Sequence, residues 1–283
     1  MSNLILLSEA RDEKRKKLCL KSSNDEKNFT HLIRKLFMMK NNKPLISLLN
    51  EIYDDDLDIN TKFKYDDINC ENDLKDIILL SENDSEINFR SNDKLYKIQF
   101  EVRDDKQISI TVLKCCIYNN KIRTIDPYII MINSQINICD IYRLRLIFNK
   151  KKLSYRAKVF KNWKYSLKQL YDNNMYLLYP LKIFELEKRL LELKKEIDSL
   201  SEDIKNLPKK RKLINLIKYE ISIFFKNMNI YLKKLEDRNI LDNDDIELFN
   251  DISIELLKKC YCGENGDTDL QRYLEDNNSF IIK

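Results

Sequence analysis

The sequence predicts an α/β protein, a mixed sheet flanked by helices and followed by a helical C-terminal region. Three observations carry this. Tyr96, Ile98, Phe100 and Val102 alternate with Lys97, Gln99, Glu101 and Arg103, the period of a strand buried on one face. Ahead of it, Phe29, Leu32, Ile33, Leu36 and Phe37, then Leu45, Leu48, Leu49 and Ile52, fall at helical spacing. After Trp163 the chain turns rich in Leu, Lys and Glu up to about Lys259. The expected division is a charged arm over 1–28, an α/β core over 29–165 and a helical region over 166–283.

Composition narrows the function classes. A chain of 283 residues buries a sizeable core. Its 51 basic and 46 acidic residues nearly cancel to +5, too mild a surplus to argue for nucleic-acid binding by itself. With two Gly and four Pro there is no Gly-rich phosphate loop, which excludes Rossmann and P-loop chemistry. Seven cysteines, an odd set with no secretory signal ahead of them, read as reduced thiols of a cytoplasmic protein. Cys260 and Cys262 lack a second ligand pair at zinc spacing. A single histidine, His31, argues against Ser-His-Asp or Cys-His catalysis and reads as a partly buried helix residue. The apolar run near the N-terminus is too short for a signal peptide or a membrane span.

The elements follow in order. Residues 11–28 read as a helix tip or frayed arm, and Pro44 suits the first turn of the second helix. The acidic run Asp54–Asp58 ends that helix and reads as a solvated loop. Strand-like segments cover Thr61–Ile68, Asp76–Leu80, Ser85–Arg90 and Leu95–Arg103, the last two joined at Asn92-Asp93. Residues 106–119 mix β-branched content with the helical spacing of Ile108, Val112, Cys115 and Cys116, so both readings stay open there. Pro127–Ile132 reads as a buried strand.

Residues 141–148 and 153–160 alternate on either side of Asn149-Lys150-Lys151-Lys152, a hairpin. Its outward Arg143, Arg145, Lys150, Lys151, Lys152, Arg156 and Lys158 form the best basic cluster in the chain. Such a cluster meets phosphate backbones or protects a sheet edge from further pairing. Beyond it, Leu186, Leu190, Leu193, Ile197, Leu200 and Ile204 approach a heptad seam, and Leu213–Leu235 returns as an antiparallel partner. The helical region breaks at Pro180, at Pro208 and over 238–245, and Asn243 with Asp244 and Asp245 reads as an N-cap. These helices pack on each other or on the sheet, or join two copies as a homo-oligomer.

The order and spacing of Arg34–Asn50, Lys94–Glu101 and Trp163–Phe184 resemble the recombination-promoting nuclease/putative transposase family of the PD-(D/E)XK superfamily, over residues 29 to 255. That nuclease core supplies an acid on one strand, then an acid and a base at i and i+2 on the next, gathered around Mg²⁺. The resemblance implies a restriction-endonuclease-like mixed sheet, a helix over 106–119, DNA as partner and Mg²⁺-dependent phosphodiester hydrolysis. The family's first-strand acid falls on Glu86, and an acid expected in the first helix falls near Thr30. Where the family reads I-E-F-Q, this chain has Ile98-Gln99-Phe100-Glu101.

Acid and amide have exchanged places across two residues, which keeps both on one sheet face. The implied metal ligands are Glu86, Glu101 and Asp84, with Gln99 or Arg103 orienting water or phosphate. Glu101-Val102-Arg103 then stands as a shifted acid-x-base pair. The other reading is a catalytically inactive nuclease fold, a binding or assembly protein that works through its helical C-terminal region.

Overall fold

The computed structural model describes residues 23–65, 86–91, 94–101, 128–131, 139–148, 151–200 and 206–258. Asp84, Arg103, Lys150, Ile204, Cys260 and Cys262 lie outside them, as do the segments expected over 76–80 and 106–119.

Two helices open the described chain. Helix α1 (Ser23–Phe37) begins inside the segment expected as an arm and buries Phe29, Leu32, Ile33, Leu36 and Phe37. His31 is exposed on it rather than partly buried, because it falls outside that apolar stripe. Helix α2 (Lys43–Tyr53) starts with Pro44 in its first turn and buries Leu45, Ile46, Leu48, Leu49 and Ile52. It ends at Asp54, in the left-handed conformation (φ 53°), whose N–H donates to the Asn50 carbonyl.

The acidic run after α2 is held more firmly than a solvated loop. The Asn50 side chain accepts from Leu57 N–H at 2.7 Å and donates to Leu57 O at 3.1 Å. Asp55 accepts from Tyr96 OH at 2.6 Å. The loop is thereby fastened to the sheet by a bond between residues 41 positions apart.

Six strands form one mixed sheet: β1 (Lys64–Tyr65), β2 (Glu86–Ser91), β3 (Lys94–Glu101), β4 (Tyr128–Met131), β5 (Ile141–Phe148) and β6 (Lys151–Lys161). Their order is β1-β2-β3-β4-β6-β5. β1, β2 and β3 pair antiparallel, β4 lies parallel to both β3 and β6, and β5 pairs antiparallel with β6 at the edge. Parallel pairing of β3 with β4 demands a crossover connection. One face of the sheet meets α1 and α2 through Tyr96, Ile98, Phe100, Ile130 and Phe160. Phe37 and Phe100 meet edge to face at 5.0 Å, and Lys158 Nζ donates to Ile52 O at the end of α2.

The helical region follows a short 3₁₀ turn at Asn162–Lys164. It comprises α3 (Leu167–Asp172), a 3₁₀ helix (Tyr176–Lys182), α4 (Ile183–Ser199), α5 (Leu207–Asp237) and α6 (Asn243–Leu257). Pro180 sits inside the 3₁₀ helix, where every residue is buried. Buried Lys182 donates to the carbonyls of Asn162 and Tyr165 and to Glu185, fastening this helix to the end of β6. With α4 ending at Ser199 and α5 starting at Leu207, the expected break in the helical region stands beside Pro208. The proline occupies the first turn of α5, where its missing N–H would have no partner anyway.

Helices α4 and α5 run antiparallel, linked by Arg189–Glu220 at 2.8 Å and Lys209–Glu196 at 3.1 Å. The seam residues Leu186 and Leu190 are buried within the chain's own core, and Leu193 and Ile197 pack against it. Helix α6 is capped by Asp242, one residue earlier than expected. Asp242 accepts from Asp245 N–H at 2.9 Å, and the Asp245 carboxylate accepts from Asp242 N–H at 3.1 Å. Packed by α1, α4, α5 and the 3₁₀ helix, α6 is the central helix of this region. No helix among the described residues is long and apolar enough to cross a membrane.

One flaw in that packing is testable. Asn250 of α6 is fully buried, and neither its amide nitrogen nor its oxygen has a hydrogen-bond partner. Asn250→Leu removes the desolvation cost with a side chain of the same branched outline and should raise stability by roughly 1–3 kcal/mol. Urea denaturation reads this directly; a lower midpoint would mean that the amide is satisfied in solution.

Candidate functional site

The strand pair β2–β3 positions the acid-bearing face. Tyr96, Ile98 and Phe100 of β3 are buried on the helix side, so the alternation assigns Lys97, Gln99 and Glu101 to the opposite face. The helix-side anchors are firm. Besides its bond to Asp55, Tyr96 meets Tyr53 at 5.4 Å and Phe63 at 6.3 Å. Burial, then the bond to Asp55 and its charge, push the Tyr96 hydroxyl well above the usual phenol range. Slippage of β3 by one residue would exchange its faces, so these contacts fix which residues stand together on the far side.

Glu86 stands directly across from Gln99 in the β2–β3 register, and such cross-strand partners are about 4.5–5.5 Å apart at Cα. Glu101, two residues beyond Gln99, is the diagonal neighbour of Glu86 on the same face, at about 7–8 Å. The register therefore unites Glu86, Gln99 and Glu101. Glutamates on one sheet face supply the kind of donor that Mg²⁺ takes, since one or two carboxylates plus waters is a common Mg²⁺ ligand set. The donor chemistry of the pair thus fits Mg²⁺. Among the described residues no group of three or more His, Cys, Asp or Glu gathers as a metal cluster.

The same face carries a cation that the sequence reading passed over. Across the parallel strands, Glu101 pairs with Met131, and Met131 pairs with Lys161 of β6. Lys161 therefore shares the face of Glu101, two strands away. It is buried, and its ammonium is held by the exposed Asp140 at 2.7 Å. The bond to Lys161 and its charge, with a smaller contribution from Lys164, hold Asp140 below the usual carboxylate range. The only sequence signal was parity along β6, legible once the strand order was known.

The basic hairpin is present but arranged differently from the expectation. Lys151 and Lys152 belong to β6 rather than to a turn, opposite Phe148 and Ile147. Successive strand residues alternate, so these two lysines fall on opposite faces. Arg143 stands across from Arg156, and Arg145 across from Ser154. Arg143 and Arg156 are exposed.

Counting through β6 and β4, the face of Arg143, Arg145, Lys152, Arg156 and Lys158 is that of Ile98 and Phe100. It is the helix side, opposite Glu86 and Glu101. The expected single outward cluster is therefore divided between faces, and most of it lies behind the acids. Like charges directly opposed cost stability, so the Arg143–Arg156 pairing on the edge ladder is not there to hold the hairpin together. The chain matches no family model, no curated protein and no solved structure.

Proposed function

We propose that this chain is a nuclease-like protein of the transposase-related PD-(D/E)XK type that acts on DNA with Mg²⁺. One observation supports this above the rest: the cross-strand register that sets Glu86 against Gln99, with Glu101 on the same face. In this reading Glu86 and Glu101 hold the metal, with Asp84 as a third donor from the residues just before β2. When bound, Mg²⁺ lowers the pKa of its water and offsets charge developing on phosphate.

The chain's own residues do the rest. Gln99 stands between the two acids as a neutral group able to donate a hydrogen bond to the attacking water. Arg103 supplies positive charge for a phosphate oxygen; a guanidinium is a poor proton carrier, so it orients rather than transfers protons.

The basic hairpin serves as a separate anchor for the nucleic acid in this reading, since its arginines lie on the other face. Arg143→Ala with Arg145→Ala should then weaken DNA binding and shallow its salt dependence, raising KM while leaving kcat near wild type. A fall in kcat at saturating DNA would place the hairpin at the chemistry instead.

The primary experiment is a cleavage assay on duplex and single-stranded DNA in Mg²⁺ and in Mn²⁺. Cleavage abolished by chelation is expected. A folded, monodisperse protein that cuts neither substrate in either metal would overturn the enzymatic reading.

A further inference from the structure

A cleft beside α2 carries opposite charge at its two ends. Its volume is about 530 Å³, within the ~300–1,000 Å³ range of small-ligand sites. The walls come from α2, the turn entering the 3₁₀ helix and the turn between α5 and α6, and they include Lys43, Ser47, Glu51, Tyr176 and Arg238.

Two cations mark one end. Lys43 opens α2 and donates to the carbonyl of Asn239 at 2.7 Å, which brings the α5–α6 turn and its Arg238 to the start of that helix. Arg238 is steadied by Tyr171, whose hydroxyl accepts from the guanidinium at 3.3 Å and whose ring centre lies 5.6 Å away. Among the described residues neither cation has a carboxylate partner, and both keep donors to spare, since an ammonium has three and a guanidinium five.

Glu51 marks the other end, about two turns along α2 and ~12 Å from Lys43 at 1.5 Å per residue. It is exposed, has no bonded partner among the described residues, and lines the cleft beside Asp55. The dipole of α2 has the same sense, positive at the Lys43 end and negative at the Glu51 end. Ser47 lies between them. The Tyr176 hydroxyl donates to Ser47 at 2.8 Å, and Ser47 donates to the Lys43 carbonyl at 2.9 Å. Both hydrogens are thus engaged, and this pair offers a ligand only acceptor oxygens, which suit a peptide N–H.

A simple anion would satisfy Lys43 and Arg238 and leave Glu51 unpaired; a polyamine would do the reverse. An extended peptide has a carboxylate, an amine and N–H groups between them, and at ~3.3 Å per residue three or four residues span the distance. We propose that this cleft binds a short peptide with free ends, its carboxylate on Lys43 and Arg238 and its amine on Glu51. The site is independent of the nuclease reading, since it uses none of the residues assigned to the metal or to DNA.

Isothermal titration of the full chain with tetra-alanine tests this. The free peptide should bind, and its N-acetylated and C-amidated forms should each bind at least about tenfold more weakly, the loss of a charged hydrogen bond. Glu51→Gln should lower the affinity for the free peptide to that for the acetylated one and leave the acetylated one unchanged. Arg238→Gln should weaken the free peptide and affect the amidated one little. Both side chains are exposed, so folding should survive, and circular dichroism checks this. If Arg238→Gln unfolds the chain through its Tyr171 contact, the Glu51 comparison decides alone.

Absence of tetra-alanine binding would overturn the proposal, as would equal affinity for the blocked peptides or indifference to Glu51→Gln. Acetate or phosphate binding as tightly as tetra-alanine would make the cleft a simple anion site. A single-stranded oligonucleotide that displaces the peptide through Lys43 and Arg238 would assign it to nucleic acid. Either result overturns the peptide.

Discussion

Glu101→Ala should reduce Mg²⁺-dependent DNA cleavage by more than about a hundredfold, since even the outer partners of metal ligands carry ten- to hundredfold effects. The argument rests on position. Glu101 closes β3 on the face shared with Glu86 and Gln99, while the helix-side residues that hold the strand are Tyr96, Ile98 and Phe100. Removing the carboxylate leaves those anchors intact, so activity should fall while the thermal transition persists.

Gln99→Glu gives the converse. It adds a carboxylate directly across from Glu86, where like charges are unfavourable without a cation. The metal-free variant should be less stable than wild type, gain more stability from added Mg²⁺, and bind the metal more tightly. Wild-type cleavage rates in Glu101→Ala would remove that residue from the site.

Phe249→Ala should be the most damaging single substitution for stability, costing about 3–5 kcal/mol. Phe249 is fully buried on α6, the helix enclosed by α1, α4, α5 and the 3₁₀ helix. A cavity there faces several elements at once, and no one neighbour can relax to fill it. Against a total stability of about 5–15 kcal/mol, such a loss leaves a marginal or unfolded chain. Urea denaturation checks it, with exposed His31→Ala as a control expected to change little. A loss below about 1 kcal/mol at Phe249 would mean that α6 is not central to the core.

The sequence made some of this legible, for physical reasons. Local periodicity located β3, the paired helices α1 and α2, the hairpin and the long helices, because each pattern is set by neighbours a few residues away. Caps were less secure. Asp242 and Asn243 both precede acids, and only the reciprocal bonds with Asp245 decide between them.

What escaped depended on long-range pairing. The Tyr96–Asp55 bond, which turns an acidic loop into an anchor, joins residues 41 positions apart. The division of the basic hairpin between faces follows from counting parity from β3 through β4 to β6, and the strand order supplies that count. Lys161 was missed for the same reason. Placing Lys151 and Lys152 in the turn failed because lysine at a strand end and lysine in a turn look alike in sequence; pairing with Ile147 and Phe148 separates them.

The central claim is that Glu86 and Glu101 act on one metal ion from one face of the sheet. Titration of Mn²⁺, followed by the loss of its free-ion electron paramagnetic resonance signal, tests this without requiring activity. Wild type should bind one ion, and Glu86→Gln and Glu101→Gln should each abolish that binding while the fold persists. Undiminished Mn²⁺ binding in either variant would contradict the account.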